Sequence, residues 1–151
     1  MKPLTIVVIV GLALLSGCSL GTSCGDSKDA FLRSYYDLID EAAAANLPVS
    51  AGQWASYDER FRAYVEECYE QYEPELSPKE RRHFWSKSLK YYAQRYGDGA
   101  LKELGKKGDK AAGKVKQEVE NIWTDAESAL KEATGKTDPK KLLKPGQAET
   151  E

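Results

Sequence analysis

Three cysteines and a single histidine are the side chains of this chain best suited to covalent chemistry. A thiol beside an imidazole makes a nucleophile, and Cys68 and His83 flank one predicted helix-to-helix turn. Against that dyad, no third group stands ready to orient His83, Arg81 and Arg82 flank it, and Cys68 belongs to an apolar stripe. A surface histidine is the expectation. Cys68 has a second use, because Cys24 and Cys68 form an even pair that an oxidising compartment would join. In an antiparallel hairpin the start of the first helix lies beside the end of the second, where these two fall. Closing that loop would stabilise the fold by about 4 kcal/mol on the chain-entropy estimate. A buried free thiol at Cys68 is the competing reading.

Other clusters invite non-covalent chemistry. Glu66, Glu70 and Glu73 line one helix face and could hold a divalent cation, but no acidic loop with calcium-type spacing accompanies them. A solvated face answering Arg81, Arg82, Lys87 and Lys90 is expected instead. Tyr36, Tyr69 and Tyr91 lie off the main apolar stripes and are the candidate surface for glycan or peptidoglycan strands. Lys102, Lys106, Lys107, Lys110, Lys114 and Lys116 form a basic patch that could rest on an anionic leaflet. Formal charge is nearly balanced at −2, so no nucleic-acid partner is implied. Glycine-rich phosphate loops, metal-ligand clusters and Ser/His/Asp sets are absent from the sequence, so neither an enzyme nor a cofactor nor a metal is expected.

The third cysteine belongs to a different signal. Lys2 precedes an apolar run from Leu4 to Leu15 that is too short to span a bilayer but has the proportions of an export signal. Leu15-Ser16-Gly17-Cys18 then resembles the bacterial lipobox. That resemblance implies cleavage before Cys18, a diacylglyceryl group on its thiol and an acyl chain on its amino group, and such a set of chains gives stable anchoring. Ser19 rather than Asp follows the cysteine, and no acidic run comes next. By the same resemblance this favours an outer-membrane anchor facing the periplasm, with surface exposure as the alternative.

The elements that must position these residues are helical. Every Phe and Tyr, with Trp54 and Trp85, falls between Phe31 and Tyr96, and Trp123 lies outside that window. Phe31, Tyr35, Leu38, Ala42 and Ala45 recur at helical spacing after a cap at Asp26 or Ser27. Ser50 with Gln53 reads as a capping box before a second helix carrying Trp54, Tyr57, Phe61, Tyr64, Val65, Cys68 and Tyr72 inward. Ser77-Pro78-Lys79-Glu80 opens a third, with Phe84, Trp85, Leu89, Tyr92 and Tyr96 inward. A fourth helix is predicted over Asp109 to Thr134, with a Val115-to-Ala133 seam able to pair with another helix as a coiled coil.

The predicted class is all-α: an antiparallel three-helix bundle, then a fourth amphipathic helix and a disordered tail. The predicted divisions are a signal peptide at 1–17, a lipidated cysteine and tether at 18–25, and the bundle at 26–97. A Gly/Lys-rich linker with the amphipathic helix occupies 98–135, and the tail 136–151. The lipobox together with Phe31, Tyr35, Trp54, Tyr57, Phe61 and Tyr64 resembles small uncharacterised lipoproteins of Bacteroidetes-type gut bacteria, over roughly Met1 to Tyr96. That resemblance transfers no functional residue except Cys18, and the extension after Gly97 departs from its short forms. The expectation is a non-catalytic envelope lipoprotein, a binding or scaffolding module whose partners are membrane lipid and an envelope protein or peptidoglycan. A glycan-recognising protein and a cysteine-dependent hydrolase or redox protein are the alternatives.

Overall fold

A computed structural model describes residues 23–123 and 125–135. The export signal, Cys18 and the tail predicted as disordered lie outside the described residues. The chain is all-α, with no strand among the described residues. None of its described helices is long and apolar enough to cross a membrane.

Helix α1 (Lys28–Ala45) starts where the Ser27 hydroxyl accepts the Ala30 amide at 3.2 Å. It ends where Asn46 turns left-handed. Helix α2 (Trp54–Ala63), a π turn (Tyr64–Cys68) and α3 (Tyr69–Tyr72) run on as one rod, because each junction residue keeps right-handed helical angles. In the π turn the Tyr69 amide bonds back to the Tyr64 carbonyl, one residue further than in an α-helix. Along this rod Tyr64, Val65, Cys68, Tyr69 and Tyr72 are all buried. A 3₁₀ turn (Glu73–Glu75) containing Pro74 closes the rod.

The capping box expected at Ser50 and Gln53 does not form. The helix starts later than that box requires, at Trp54 with Gln53 in the cap position, after tight turns in which the Ala51 and Gly52 carbonyls accept the Trp54 and Ala55 amides. The entry is fixed instead by the Trp54 indole N–H, which donates to the Pro48 carbonyl at 3.0 Å. The box at α4 (Pro78–Tyr96) is complete: Ser77 Oγ accepts the Glu80 amide at 3.2 Å and Glu80 Oε2 accepts the Ser77 amide at 2.8 Å. A 3₁₀ turn (Gly97–Gly99) leads into the short α5 (Ala100–Leu104).

The single fourth helix expected over Asp109 to Thr134 is two helices, α6 (Lys110–Ile122) and α7 (Ala126–Thr134). Trp123 is extended between them, and Asp125 re-caps by accepting the Ser128 amide at 2.7 Å. The reason lies in the packing directions. Helix α1 runs parallel to α4, with Lys28 at Glu80 and Asp40 at Lys87, and the α2–α3 rod runs antiparallel to both. Helix α6 travels alongside the rod, Asp109 at Arg62 and Lys114 at Glu70, toward the start of α4. A straight continuation would overshoot that end. The break instead turns α7 back along α4, burying Trp123, Ala129 and Leu130. The apolar seam is thereby covered within the domain, and no continuous stripe is left for the coiled coil expected there.

Helix α4 is therefore enclosed by α1, the rod, α6 and α7. Neighbouring Tyr91 and Tyr92 are both buried for that reason. Rings pack between α1, the rod and α4: Phe84 stacks on Tyr35 at 4.1 Å and Phe61 on Tyr91 at 4.2 Å. Stacks of this kind contribute about 0.5–1.5 kcal/mol each beyond the area they bury.

Candidate functional site

The most built feature near the entry of the chain is a staple on the residues that follow the lipobox. Cys24 is bonded to the fully buried Cys68, with Cα atoms 5.2 Å apart. One residue on, the Tyr72 hydroxyl donates to the Gly25 carbonyl at 2.6 Å. Gly25 sits at φ +81°, and a Cβ there would meet Ala30 Cβ and the Phe31 amide nitrogen at 3.1 Å. The Ser27 cap comes next, and Lys28 pairs with Glu80 at 3.0 Å. The expected tether 18–25 thus ends early, since Cys24 and Gly25 are fixed to the fold.

The bridge removes the free-thiol reading and the Cys68–His83 dyad together, because the Cys68 sulfur is already bonded. His83 is exposed and sets its ring edge-on to Tyr36 at 4.8 Å. Its pKa is lowered by partial burial and by Lys87.

The tyrosine surface does not form as expected. Tyr69 and Tyr91 are buried, and Tyr36 is half-buried. Helix α6 covers Tyr69, whose oxygen accepts the Trp85 indole N–H at 3.1 Å with the Lys114 ammonium 5.3 Å from its ring centroid. Tyr91 donates to Asp58 at 2.7 Å across the α2–α4 interface. Burial pushes the Tyr36 and Tyr69 hydroxyls up to about 12. Burial, then the bond to Asp58, raises Tyr91 further.

The carboxylate face divides among separate partners. Glu70 pairs with Lys114 of α6 at 3.0 Å, and Glu73 lies 3.9 Å from Arg81. Of the other cations expected opposite that face, Arg82 meets Glu132 and Lys87 meets Asp40. The basic patch divides too. Lys114 pairs with Glu70 of the rod, Lys116 lies 3.9 Å from Glu120 and Lys106 3.5 Å from Glu103, while Lys102, Lys106, Lys107 and Lys110 are exposed around the start of α6. They lie at the opposite end of α4 from Cys24, about 28 Å away by helical rise.

Three arrangements had no local sequence signal. Asp58 accepts from Tyr91 and from Arg95 Nε at 3.0 Å, while the other end of Arg95 donates to the Val49 carbonyl at 2.8 Å, pinning the loop before α2. Arg82 grips Glu132 through two bonds of 3.1 and 2.6 Å, lies 4.6 Å from the Trp123 ring centroid, and shares Glu132 with the Trp123 indole N–H. Beside that clamp, α4 and α7 enclose an open cleft of about 540 Å³ lined by Lys90, Ala93, Gln94, Glu132, Ala133 and Thr134. Gln94 Oε1 is buried with no hydrogen-bond partner. All three join residues far apart in the chain, which no spacing rule connects.

A disulfide-stapled, aromatic-cored helical domain whose second half wraps the central helix is the class these features define. A family model described as "Domain of unknown function (DUF6565)" matches residues 44–140, and the chain belongs to that family. The match takes in α5, α6 and α7, so the segment after Gly97 is part of the family's domain and not an addition to a shorter form. No curated protein and no solved structure matches the chain.

Proposed function

We propose that this protein is a non-catalytic cell-envelope lipoprotein, anchored through Cys18 in the outer membrane and facing the periplasm. Its helical domain acts as a binding or scaffolding module, with an envelope protein or peptidoglycan as partner. The observation that carries this reading is the Cys24–Cys68 bridge. Such bridges persist in oxidising compartments, which is where an export signal would deliver the chain. The bridge also falls where an anchor needs it. Only Ser19 to Ser23 separate Cys18 from the stapled Cys24, a reach of about 20 Å when fully extended. An acyl anchor on Cys18 would thus hold the start of α1 and the Ser77 end of α4 toward the headgroups. The exposed lysines near the start of α6 would point away in an end-on domain, so the acyl chains on Cys18 would carry the membrane attachment without them.

Intact mass of the membrane-extracted protein, before and after reduction with thiol alkylation, tests this. The expected result is cleavage before Cys18, added acyl mass, and alkylation of Cys24 and Cys68 only after reduction. A full-length or unacylated mass would sink the anchor.

A further inference from the structure

Cations are matched to carboxylates over much of the domain. Arg62, Arg82, Lys87, Arg95 and Lys114 each grip one at 3.0 Å or less. The turn between α5 and α6 differs. The ammonium groups of Lys102, Lys107 and Lys110 have no hydrogen bond or ion pair among the described residues, and all three residues are exposed. Lys106, also exposed, has only its 3.5 Å contact with Glu103. Asp109 is engaged twice, accepting the Ala112 amide at 3.0 Å and pairing with Arg62 at 2.7 Å. From Gly97 to Lys110, Asp98 is the one acid without a hydrogen bond or ion pair among the described residues. Gly108 is left-handed at φ +86°, and a Cβ there would meet nothing within 4 Å, so the fold does not crowd the backbone between Lys107 and Lys110.

Two further observations narrow the partner. Val49 is the only large hydrophobic residue exposed among the described residues, so this surface lacks the cluster of apolar and aromatic anchors that carries a protein interface. The lysines also lie at the opposite end of α4 from Cys24, so an anchor on Cys18 would turn them away from the lipid and toward the cell wall. Lysine ammoniums are mobile point charges without the fixed fork of arginine, suited to repeated anions more than to one shaped group. We propose that the α5–α6 turn, through Lys102, Lys107 and Lys110 with Lys106 beside them, holds the carboxylate-bearing peptide stems of peptidoglycan. Each ammonium pairs with a carboxylate, and weak pairs add up because the polymer repeats. The proposal rests on the reading of the domain as a binding module and gives that module its surface and partner. Intact mass reads the anchor separately, so loss of the acyl chains and loss of wall binding are distinct outcomes.

The test is co-sedimentation of the detergent-solubilised full chain with peptidoglycan sacculi stripped of protein. Binding should saturate at low ionic strength and fall about tenfold in about 0.5 M sodium chloride, where exposed charges are strongly screened. Sacculi whose carboxylates have been converted to amides should bind about tenfold more weakly. Lys102→Gln, Lys107→Gln and Lys110→Gln together should weaken binding about tenfold with the melting temperature unchanged, because those ammoniums hold nothing in the fold. Arg33→Gln, Lys79→Gln and Lys131→Gln together remove the same charge from exposed positions elsewhere and should leave binding intact. No binding, full binding of amidated sacculi, full binding by the first variant or equal loss in the second overturns the proposal. Binding only to sacculi that still carry protein also overturns it, in favour of an acidic envelope protein.

Discussion

The two halves of the domain are built from different materials. From α1 through α4 the interior is rings: Phe31, Tyr35, Trp54, Phe61, Phe84 and Trp85 are almost wholly buried, and the chain entry is stapled to them by Cys24–Cys68. From α5 through α7 the buried residues are chiefly Ala111, Ala112, Val115, Val119, Ala129 and Leu130, with Trp123 the single ring. Small side chains bury little area each, and ion pairs tie this half to the rest: Arg62–Asp109, Lys114–Glu70 and Arg82–Glu132. Partly exposed pairs of this kind are worth little singly. The aromatic half should therefore set global stability, and α7 should be the segment that opens locally at lower cost.

Phe84→Ala strikes the aromatic half where it is densest, since Phe84 contacts Phe31, Tyr35, Tyr69 and Trp85. It should cost about 3–5 kcal/mol, read by chemical denaturation. A loss below about 1 kcal/mol would mean the rings are not the principal core. Replacing Cys24 and Cys68 together by Ala should cost about 2–4 kcal/mol, and an unchanged melting temperature would show that the Tyr72–Gly25 bond and the Ser27 cap hold the entry alone.

Glu132→Gln probes the thinner half. It removes the charge that Arg82 grips while keeping the shape, for a global loss of about 1 kcal/mol or less. Amide exchange should speed over 126–134 and stay slow in α1 and the middle of α4. Uniform acceleration would erase the distinction between the halves, making them one cooperative unit.

The smallest effect concerns acid. The bonds from the Ser77 backbone and then Lys28 pull the Glu80 carboxyl from 4.5 down to about 2. A depressed folded pKa contributes stability that is present above about 4.5 and is lost as pH falls toward 2. Glu80→Gln should accordingly flatten the fall in melting temperature across that window, and an unchanged acid slope would show that the capping box does not depend on the charge.

Local chemistry was legible in advance. The Ser27 cap, the Ser77–Glu80 box and the stop at Gly135 depend on residues within one turn of each other, and each stands where its residue types place it. The inward stripes of α1, the rod and α4 were readable for the same reason, apart from Ala45, which is exposed, and Tyr57 and Tyr96, which are half-buried. The hairpin made a Cys24–Cys68 bridge one of two open readings beside a buried free thiol, and only the fold decided for the bridge. The Ser50–Gln53 box misled because it matches a pattern of residue types without regard to where the helix starts, and tight turns through Ala51 and Gly52 delay that start to Trp54.

By itself the sequence determined an all-α chain, the Ser27 cap, the Ser77–Glu80 box, the Gly135 stop and the stripes that make the aromatic core, because these depend on neighbours three or four residues apart. Tertiary structure alone decided that Tyr69 and Tyr91 are interior, that the last helix breaks at Trp123, and that Gln94 faces Ala133 and Thr134 across a cleft. Those outcomes depend on which helices flank α4 and in which direction each one runs. Burial on a helix enclosed from several sides is set by its neighbours in space, and the helical period of a sequence records only one side of it.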